Sequence, residues 1–377
     1  MTEPGDALPA GDVAGRRVEV EVGPVAHGGH FVARPGGRVV FVRHALPGER
    51  VTVEITEDSG RYLRGDAIEV HEPSPHRVVP PCPYAGPGAC GGCDFQHVEL
   101  AEQRRLKAAV VEEQLARLAG IEREVVVEEV PVHGAAAGTD GLGWRTRMQY
   151  VHLPGGGRGL RRHRSHDVVP IDRCLIAHPQ AREPEPGTVV EQVSTSVGTR
   201  RFAVAADGFW QPHVAAPRTL VDCVREVAAP QPGERVLDLY AGVGLFAGFL
   251  AEAVGAEGTV RAVEGDRTAA SHARDNLADL PQVRVVSGRV DRVLARGVGP
   301  ADLVVLDPPR VGAKRPVVRA IAALEPRAVV YVACDPAALA RDLNYFAEHG
   351  YHLDVLRAFD LFPMTHHVEC VARVVRG

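Results

Sequence analysis

The sequence predicts an α/β protein that begins with a small β-barrel, continues through a β-rich central region and ends in a doubly wound parallel sheet. Three observations lead to this fold class. Short alternating segments separated by Gly and Pro come first, a second β-like region follows, and from about residue 206 short apolar runs alternate with helical stretches. A chain of 377 residues has room for two or three domains. We expect them to span residues 11–72, 73–205 and 206–377.

Composition excludes several classes of protein. Hydrophobic residues make up 45% of the chain and charged residues 24%, which is ordinary for a globular protein and excludes a disordered one. No apolar run is long enough to span a bilayer and no secretion signal is recognisable, so we expect a cytoplasmic, monomeric protein with no membrane partner. The net charge of −5 argues against nonspecific coating of nucleic acid but is compatible with a local basic face.

The first region has the pattern of short strands. Four segments alternate apolar and polar residues or are apolar, and Gly- and Pro-containing turns separate them. The segments are Arg17–Val22, Val39–Val42, Val51–Ile55 and Gly65–Val70. Four or five strands at this spacing predict a small antiparallel barrel, with any other small β-module as the alternative.

The central region joins a Cys-rich loop, a helix and a basic β-like segment. Residues 98–118 have apolar residues at helical spacing, and this helix is a candidate to pack on the C-terminal domain. Residues 143–176 carry a local excess of positive charge, which indicates either a solvated surface or a face that contacts phosphates. Its arginines are Arg145, Arg147, Arg158, Arg161, Arg162, Arg164 and Arg173.

A strand, a glycine turn and a helix are predicted over residues 236–246. Gly242 and Gly244 let the backbone approach a ligand, and the helix start offers free N–H groups. Asp238 precedes the turn, and Glu264 ends the next predicted strand, where a carboxylate suits a ribose diol. This pair of acids around a Gly-x-Gly turn favours S-adenosylmethionine over NAD.

The fourth predicted strand ends in Leu306-Asp-Pro-Pro-Arg310. Strand ends on this side of a doubly wound sheet are where ligands bind. Asp-Pro-Pro is a familiar feature of methyltransferases, and those that act on exocyclic amines tend to follow it with an aromatic residue. Arg310 stands at that position here, which weakens the amine interpretation.

Cys334 ends the fifth predicted strand and is a candidate nucleophile, because it precedes Asp-Pro on the same rim as Asp307. A thiolate that adds to carbon 6 of a pyrimidine makes carbon 5 nucleophilic enough to take a methyl group. A base must then remove the carbon-5 proton. Glu369 is the candidate base, and His366 and His367 compete for the role.

Together these residues resemble the RNA uracil-5 methyltransferase family over nearly the whole chain. The barrel is similar to a TRAM domain, a small RNA-binding module of the OB kind. The other matching segments, besides those of the catalytic half, are Cys90–His97 with the following helix, Arg162–His166 with Ile171–Cys174, and Phe209–His213. The C-terminal domain is then a Rossmann-like methyltransferase domain.

The resemblance implies roles for particular residues. It implies a [4Fe–4S] cluster on Cys82, Cys90, Cys93 and Cys174, for which the cysteine spacing alone leaves zinc as the alternative. It implies that S-adenosylmethionine contacts Gln211, Tyr240, Glu264 and Asp307. It also assigns the nucleophile to Cys334 and the base to Glu369.

Two positions depart from the family pattern, because Asp335 and His213 stand where the family usually has Asn. The negative charge of Asp335 tends to raise the pKa of the neighbouring thiol and to oppose thiolate formation.

We therefore expect an enzyme that methylates carbon 5 of a uridine in structured RNA, a transfer or ribosomal RNA, through a covalent Cys–uracil adduct. Two alternatives remain open at this point. One is an RNA exocyclic-amine methyltransferase, suggested by Asp307-Pro-Pro. The other is a non-catalytic RNA-binding or folding factor with a decayed site, suggested by Asp335 and His213.

Overall fold

The computed structural model describes residues 13–132 and 140–377. The first residues of the predicted barrel, 11 and 12, lie outside this described part, as does a short piece of the central region. Within the described ranges, no helix combines the length and apolar character that crossing a membrane requires.

The N-terminal region is one six-stranded sheet in the order β1-β5-β6-β4-β3-β2. Its strands are β1 (Arg17–Glu21), β2 (Val25–Ala26), β3 (His30–Ala33), β4 (Val40–Arg43), β5 (Arg50–Asp58) and β6 (Leu63–Glu72). Alternate residues of β1 and β5 are buried, as the sequence pattern predicts. Val18, Val53, Phe31 and Leu63 are among the apolar side chains that form its core.

The prediction that this sheet is wholly antiparallel is wrong at one pair, because β4 and β6 run parallel. The other four pairs are antiparallel. After β4 the chain crosses to β5 at the far side of the sheet and returns as β6. Two reversals therefore give β4 and β6 the same direction. The short strands β2 and β3, which the sequence pattern did not reveal, extend the sheet beyond β4.

The central region holds one long helix and several short strand pairs. The predicted helix over 98–118 is α1, Leu100–Ala119. The strands are β7 (Val127–Glu129), β8 (Arg145–Arg147), β9 (Val151–His152), β10 (Arg158–Arg161), β11 (Val168–Ile171), β12 (Ala177–Arg182), β13 (Thr188–Thr195) and β14 (Gly198–Ala205). Strands β9 to β11 form a three-stranded sheet, β8 pairs with β12, and β13 with β14 forms a hairpin.

Helix α1 joins the barrel to the C-terminal half. Leu106 packs into the barrel core, whereas Val111 and Leu115 belong to the core of the C-terminal sheet. Between them, the ammonium of Lys107 donates to Asp360 Oδ1 at 2.6 Å, and both side chains are almost fully buried. An unpaired buried charge is costly, so this ion pair holds α1 in one register against the C-terminal half.

The C-terminal half is an eight-stranded sheet in the order β17-β16-β15-β18-β19-β21-β20-β7. The strands from this half are β15 (Arg235–Leu239), β16 (Thr259–Glu264), β17 (Val283–Ser287), β18 (Leu303–Leu306), β19 (Ala328–Ala333), β20 (Tyr351–Asp360) and β21 (Glu369–Arg376). The five strands from β17 to β19 are parallel. Strands β18 and β19 are buried along their whole length, which explains their continuous apolar sequences.

Helices cover both faces of this sheet, which confirms the predicted doubly wound fold. They are α2 (Ala216–Ala228), α3 (Leu245–Val254), α4 (Arg267–Asn276), α5 (Val290–Ala295), α6 (Lys314–Ala322) and α7 (Pro336–Ala347). The strand order reverses at β15, which lies between β16 and β18. In such sheets the crevice at the carboxyl ends of the strands beside this reversal is the usual ligand site. The domain bounds of 11–72, 73–205 and 206–377 stay predictions.

Candidate active site

The turn that leaves β15 at this crevice has an unusual backbone. Tyr240, Gly242 and Gly244 have φ angles of +61°, +55° and +91°. A Cβ atom on Gly244 would lie 2.6 Å from Leu277 Cδ1, and the positive φ of Gly244 is itself a conformation that favours glycine. Helix α3 begins at the next residue, and its first N–H groups therefore face the crevice.

Glu264, the last residue of β16, ties this turn to the sheet. Its Oε2 accepts the N–H of Gly242 at 2.8 Å, and its Oε1 accepts the N–H of Asp266 at 2.6 Å. Glu264 is half-buried, so its carboxylate forms a polar wall at the mouth of the crevice.

Two further acids lie at the floor of the crevice. Gln211 is buried and donates its amide to Asp307 Oδ2 at 3.4 Å. Burial raises the pKa of Asp307 to about 7 and that of Asp238 to about 8. A cationic group placed beside these carboxyls would favour their ionised forms. The structure therefore brings Gln211, Tyr240, Glu264 and Asp307 to the carboxyl ends of the neighbouring strands β15, β16 and β18.

His213 is a packing residue beside this floor. It is fully buried, and its ring stacks on Trp144 with the centroids 5.8 Å apart and the planes at 15°. Its Nδ1 accepts the N–H of Ala215 at 3.0 Å, directly before α2. The departure from Asn at this position thus falls on a side chain that supports the loop of Gln211 rather than on the crevice itself.

The pairing of β19 with β21 brings Cys334 and Glu369 together, although they are far apart in the sequence. The two strands are antiparallel, and Ala333 lies opposite Cys370. Cys334 and Glu369 are the next residues of the two segments, and they lie close enough for the charge of Glu369 to act on the thiol, at the rim that Asp307 also reaches from the end of β18. Both candidate catalytic residues therefore belong to one site.

Burial and like charges govern the protonation of this rim. Burial, with a smaller contribution from the carboxylates of Glu369 and Asp307, raises the pKa of the Cys334 thiol to about 12. Burial likewise raises the pKa of Glu369 well above its usual range, and Asp307 adds to the effect. Arg310 opposes both shifts, and it is the cation that favours a thiolate at Cys334.

A cavity of about 130 Å³ opens in front of Cys334, between the rim and the barrel. Its size is close to the roughly 150 Å³ of a cavity that holds one benzene ring. The turn between β2 and β3 forms one wall, helix α1 a second, and residues 366–368 a third. The cavity beside the thiol therefore has about the volume that a single six-membered ring needs.

The two histidines that compete for the role of base have different surroundings. His366 Nδ1 lies 2.6 Å from Asp94 Oδ2, so a carboxylate already holds its ring. His367 Nε2 lies 3.1 Å from the Arg310 guanidinium. Burial, together with the charges of His366 and Arg310, lowers the pKa of His367 to about 3, so its ring is neutral.

The four cysteines of the predicted cluster line a separate cavity of about 630 Å³ in the central region. Burial raises the pKa values of Cys90 and Cys174, and it raises that of Cys93 to about 12. In the ranges that the structure describes, no group of three or more His, Cys, Asp or Glu side chains is placed so that it could hold a metal ion. The donor set along the cavity consists of thiols, which are the ligands of Fe–S clusters.

Arginines surround this second cavity. Arg161, Arg162 and Arg164 are exposed at its edge, and ion pairs tie Arg162 to Asp167 and Arg164 to Glu57 only loosely, at 3.9 and 3.4 Å. Arg145 and Arg147 instead donate to backbone carbonyls and are partly buried. The arginines of residues 143–176 therefore include some that bond to the backbone and some that are exposed at the cavity edge.

The sequence analysis did not reveal three residues that the structure places around Cys334. These are His27 in the barrel, Asp94 beside the Cys-rich loop and Lys107 of α1. His27 and Lys107 stand in segments whose local pattern predicts a turn and a helix, whereas Asp94 lies in the matching segment Cys90–His97, in which only the cysteines were given a role. Only the doublet of glycines after His27 signals a tight turn.

Comparison with known proteins relates this arrangement to one family. The family model of the TRAM domain matches residues 13–68, and the model described as tRNA (Uracil-5-)-methyltransferase matches residues 300–376. An uncharacterized RNA methyltransferase of Streptomyces avermitilis is 45% identical, over 95% of this chain and 98% of its own. One from Bifidobacterium longum is 37% identical, over 96% and 97% of the two chains.

A solved structure shares the fold. The tRNA (uracil-54, C5)-methyltransferase of Pyrococcus abyssi, in complex with S-adenosyl-L-homocysteine, is 22% identical and has a TM-score of 0.68. The match covers 94% of this chain and 99% of the archaeal one, so the barrel, the central region and the sheet all have counterparts. The matched domains and the close relatives together show that the chain belongs to the RNA uracil-5 methyltransferase family and is an RNA methyltransferase.

Proposed function

We propose that this enzyme methylates carbon 5 of a uridine in a structured transfer or ribosomal RNA, with S-adenosylmethionine as methyl donor and Cys334 as covalent nucleophile. The observation that carries the proposal is the antiparallel pairing of β19 with β21, which ends at Ala333 and Cys370 and so supports a shared rim for Cys334 and Glu369. The one-ring cavity in front of the thiol supports a pyrimidine as the reacting group. The solved relative from Pyrococcus abyssi acts on a tRNA uracil, which supports the same class of substrate.

Cys334 begins the reaction. As a thiolate, its sulfur adds to carbon 6 of uracil, and the π-electron pair of C5=C6 moves into an enolate in which carbon 5 is nucleophilic. Arg310 assists because its charge favours the thiolate against the buried carboxylates. When bound, S-adenosylmethionine supplies an electrophilic methyl group on a sulfonium.

Glu369 completes the reaction. Once carbon 5 carries the methyl group, the Glu369 carboxylate removes the proton from that carbon. The electron pair re-forms C5=C6, and the sulfur leaves as the thiolate of Cys334. The buried position of Glu369 makes its carboxylate a stronger base than an exposed one, because the proton it gains removes a charge from a poorly solvated place.

The crevice beside β15 is the proposed cofactor site. Glu264 would accept the ribose hydroxyls, and the glycine turn would admit the amino-acid portion close to the backbone. The buried carboxyls of Asp238 and Asp307 suit a cationic sulfonium, since a positive charge favours their ionised forms. Gln211 and Tyr240 complete the contacts proposed for this ligand.

The cysteine-lined cavity is the proposed site of a [4Fe–4S] cluster, with zinc as the alternative occupant. Cys82, Cys90, Cys93 and Cys174 would hold it as thiolates, and a bound cation would reverse the effect of burial on their pKa values. The cluster would act on the shape of the RNA-facing region and takes no part in the steps above.

Replacement of Cys334 and of Glu369 separates the two halves of the reaction. We expect Cys334→Ala to bind RNA and form no covalent adduct, because carbon 6 has no nucleophile. We expect Glu369→Gln to transfer the methyl group and then stall as a covalent RNA–protein species, with turnover lowered roughly 10²- to 10⁴-fold. Denaturing gels measure the adduct, and release of methylated RNA measures turnover.

Cys223→Ala, which removes a buried thiol outside the site, is the control and should turn over normally. Methylated uridine made by Cys334→Ala would overturn the covalent mechanism and favour the amine alternative. Parent-like turnover of Glu369→Gln would assign the base to another residue. Cofactor binding by the wild-type enzyme without turnover on any RNA would support the non-catalytic alternative.

Glu264→Ala tests the cofactor site. The change removes the charged acceptor of two ribose hydroxyls and releases the Gly242 turn, so we expect a loss of roughly 1.5–3 kcal/mol, or about ten- to a hundredfold in S-adenosylmethionine affinity. Glu257→Ala removes the same charge in the exposed loop that precedes β16 and should leave the affinity unchanged. Equal affinities of both variants in calorimetry would contradict the assignment.

Cys93→Ala tests the cluster. Protein purified without oxygen should contain iron and sulfide and absorb in the visible range, and Cys93→Ala should lose both elements while Cys223→Ala keeps them. If elemental analysis finds one zinc per chain and no sulfide, the cluster assignment is wrong and the cavity is a zinc site.

The exposed arginines at the cavity edge test the RNA-binding face. Changing Arg161, Arg162 and Arg164 together to Ala should weaken RNA binding. It should also reduce the slope of log affinity against log salt by the amount that corresponds to about three phosphate contacts. The control removes three exposed arginines around the edge strand β17, Arg274, Arg284 and Arg292. Equal salt slopes for both triple variants would identify the run as a solvated surface.

A further inference from the structure

The barrel touches the rim that carries Cys334. The turn between β2 and β3 consists of His27, Gly28 and Gly29, and both glycines have positive φ angles, +94° and +77°. A Cβ atom on Gly29 would lie 2.7 Å from Cβ of His366. The turn is therefore pressed against the loop that leads to β21, and it forms a wall of the one-ring cavity.

His27 makes a polar contact across this junction. Its Nε2 lies 3.1 Å from Asp335 Oδ2, and the two side chains are 39% and 24% exposed. The other carboxylate oxygen, Oδ1, accepts the N–H of Ala338 at 2.8 Å and caps α7. Asp335 follows Cys334 directly, so His27 holds the residue next to the thiol.

We infer that His27 is a positioning residue for Cys334: as an imidazolium it neutralises Asp335 and fixes the barrel turn over the base cavity. The barrel then supplies part of the active site as well as an RNA-docking surface. The inference rests on the proposed function, because it assigns a purpose to the neighbour of the proposed nucleophile.

The charge of Asp335 explains why such a partner is needed. The carboxylate opposes ionisation of the Cys334 thiol, in the same sense as Glu369 and Asp307. A protonated His27 cancels that charge, whereas a neutral His27 does not. The other titratable or charged groups around the pair are Lys107 and Glu113 of α1, Arg310, Cys334, His366 and His367.

The dependence on pH follows from the pair. The hydrogen bond to Asp335 raises the pKa of His27 above its ordinary value, although burial opposes the rise. The same pair holds the pKa of Asp335 below its usual range despite burial. The ion pair is therefore complete at low pH and is lost as the pH rises through the pKa of His27, so its help to Cys334 declines in the same direction.

Three variants test the inference: His27→Asn, Asp335→Asn and the double variant. The side-chain amide introduced by Asp335→Asn keeps an oxygen that can cap α7, and thermal melting verifies that each variant folds. The first measurement is the rate at which iodoacetamide alkylates Cys334 as a function of pH, followed by mass spectrometry of its peptide. The second is the rate of adduct formation with RNA that contains 5-fluorouridine.

We expect His27→Asn to lower both rates about three- to tenfold at pH values where His27 is protonated, and the deficit to shrink as the pH rises. Asp335→Asn should react at least as fast as the wild type, and adding His27→Asn to it should change little. His71→Asn, which alters a barrel histidine bonded to Thr52, should behave as the wild type.

A deficit of His27→Asn that is the same at every pH, or that persists in the Asp335→Asn background, would overturn the inference, as would unchanged rates. Failure of the proposed function is separable from these outcomes. If the wild type forms no adduct with 5-fluorouridine RNA, the proposed function fails, while the alkylation series still decides whether His27 governs Cys334.

Discussion

The antiparallel pairing of β19 with β21 is the constraint on which the candidate active site depends. The five parallel strands bring Asp307 and Cys334 to the same end of the sheet, where the carboxyl ends of the strands lie. A further parallel strand would bring only its own carboxyl end to this place. Because β21 is antiparallel to β19, its first residue, Glu369, lies at this same end of the sheet. A reversal of one strand thus places a carboxylate opposite a thiol.

Burial at this end of the sheet controls the protonation of the candidate catalytic residues, and it matters as much as their closeness to one another. Cys334, Asp307 and Glu369 share a poorly solvated rim, and each carboxylate disfavours the charge of the others and of the thiol. Such a site keeps protons on its acids until a cation or a substrate changes the balance. Arg310 is the neighbouring cation, and it acts on Cys334, Asp335 and Glu369 alike.

The barrel and α1 complete the site from the other side. Helix α1 has Leu106 in one core and Leu115 in another, and the buried Lys107–Asp360 pair fixes it between them. This arrangement sets the β2–β3 turn over the rim, so that a cavity the size of one ring lies between two regions that are distant in sequence. The proposed RNA-binding barrel and the proposed catalytic rim are therefore in direct contact, and α1 packs against both.

The sequence by itself determined the five parallel strands of the C-terminal sheet, α1, four strands of the barrel and the glycine turn at Gly242, because burial and backbone conformation constrain neighbouring residues of the chain. Strands β7 and β20 were not among the predicted elements. Cys334 and Glu369 became candidates for a different reason, namely the chemistry of their residue types and the resemblance of the surrounding motifs to the family. The parallel pairing of β4 with β6, the packing role of His213 and the contact between His27 and Asp335, 308 residues apart, were decided only by the tertiary structure. Such contacts depend on how whole elements pack, and no local pattern of residues encodes which distant side chain a packed element will meet.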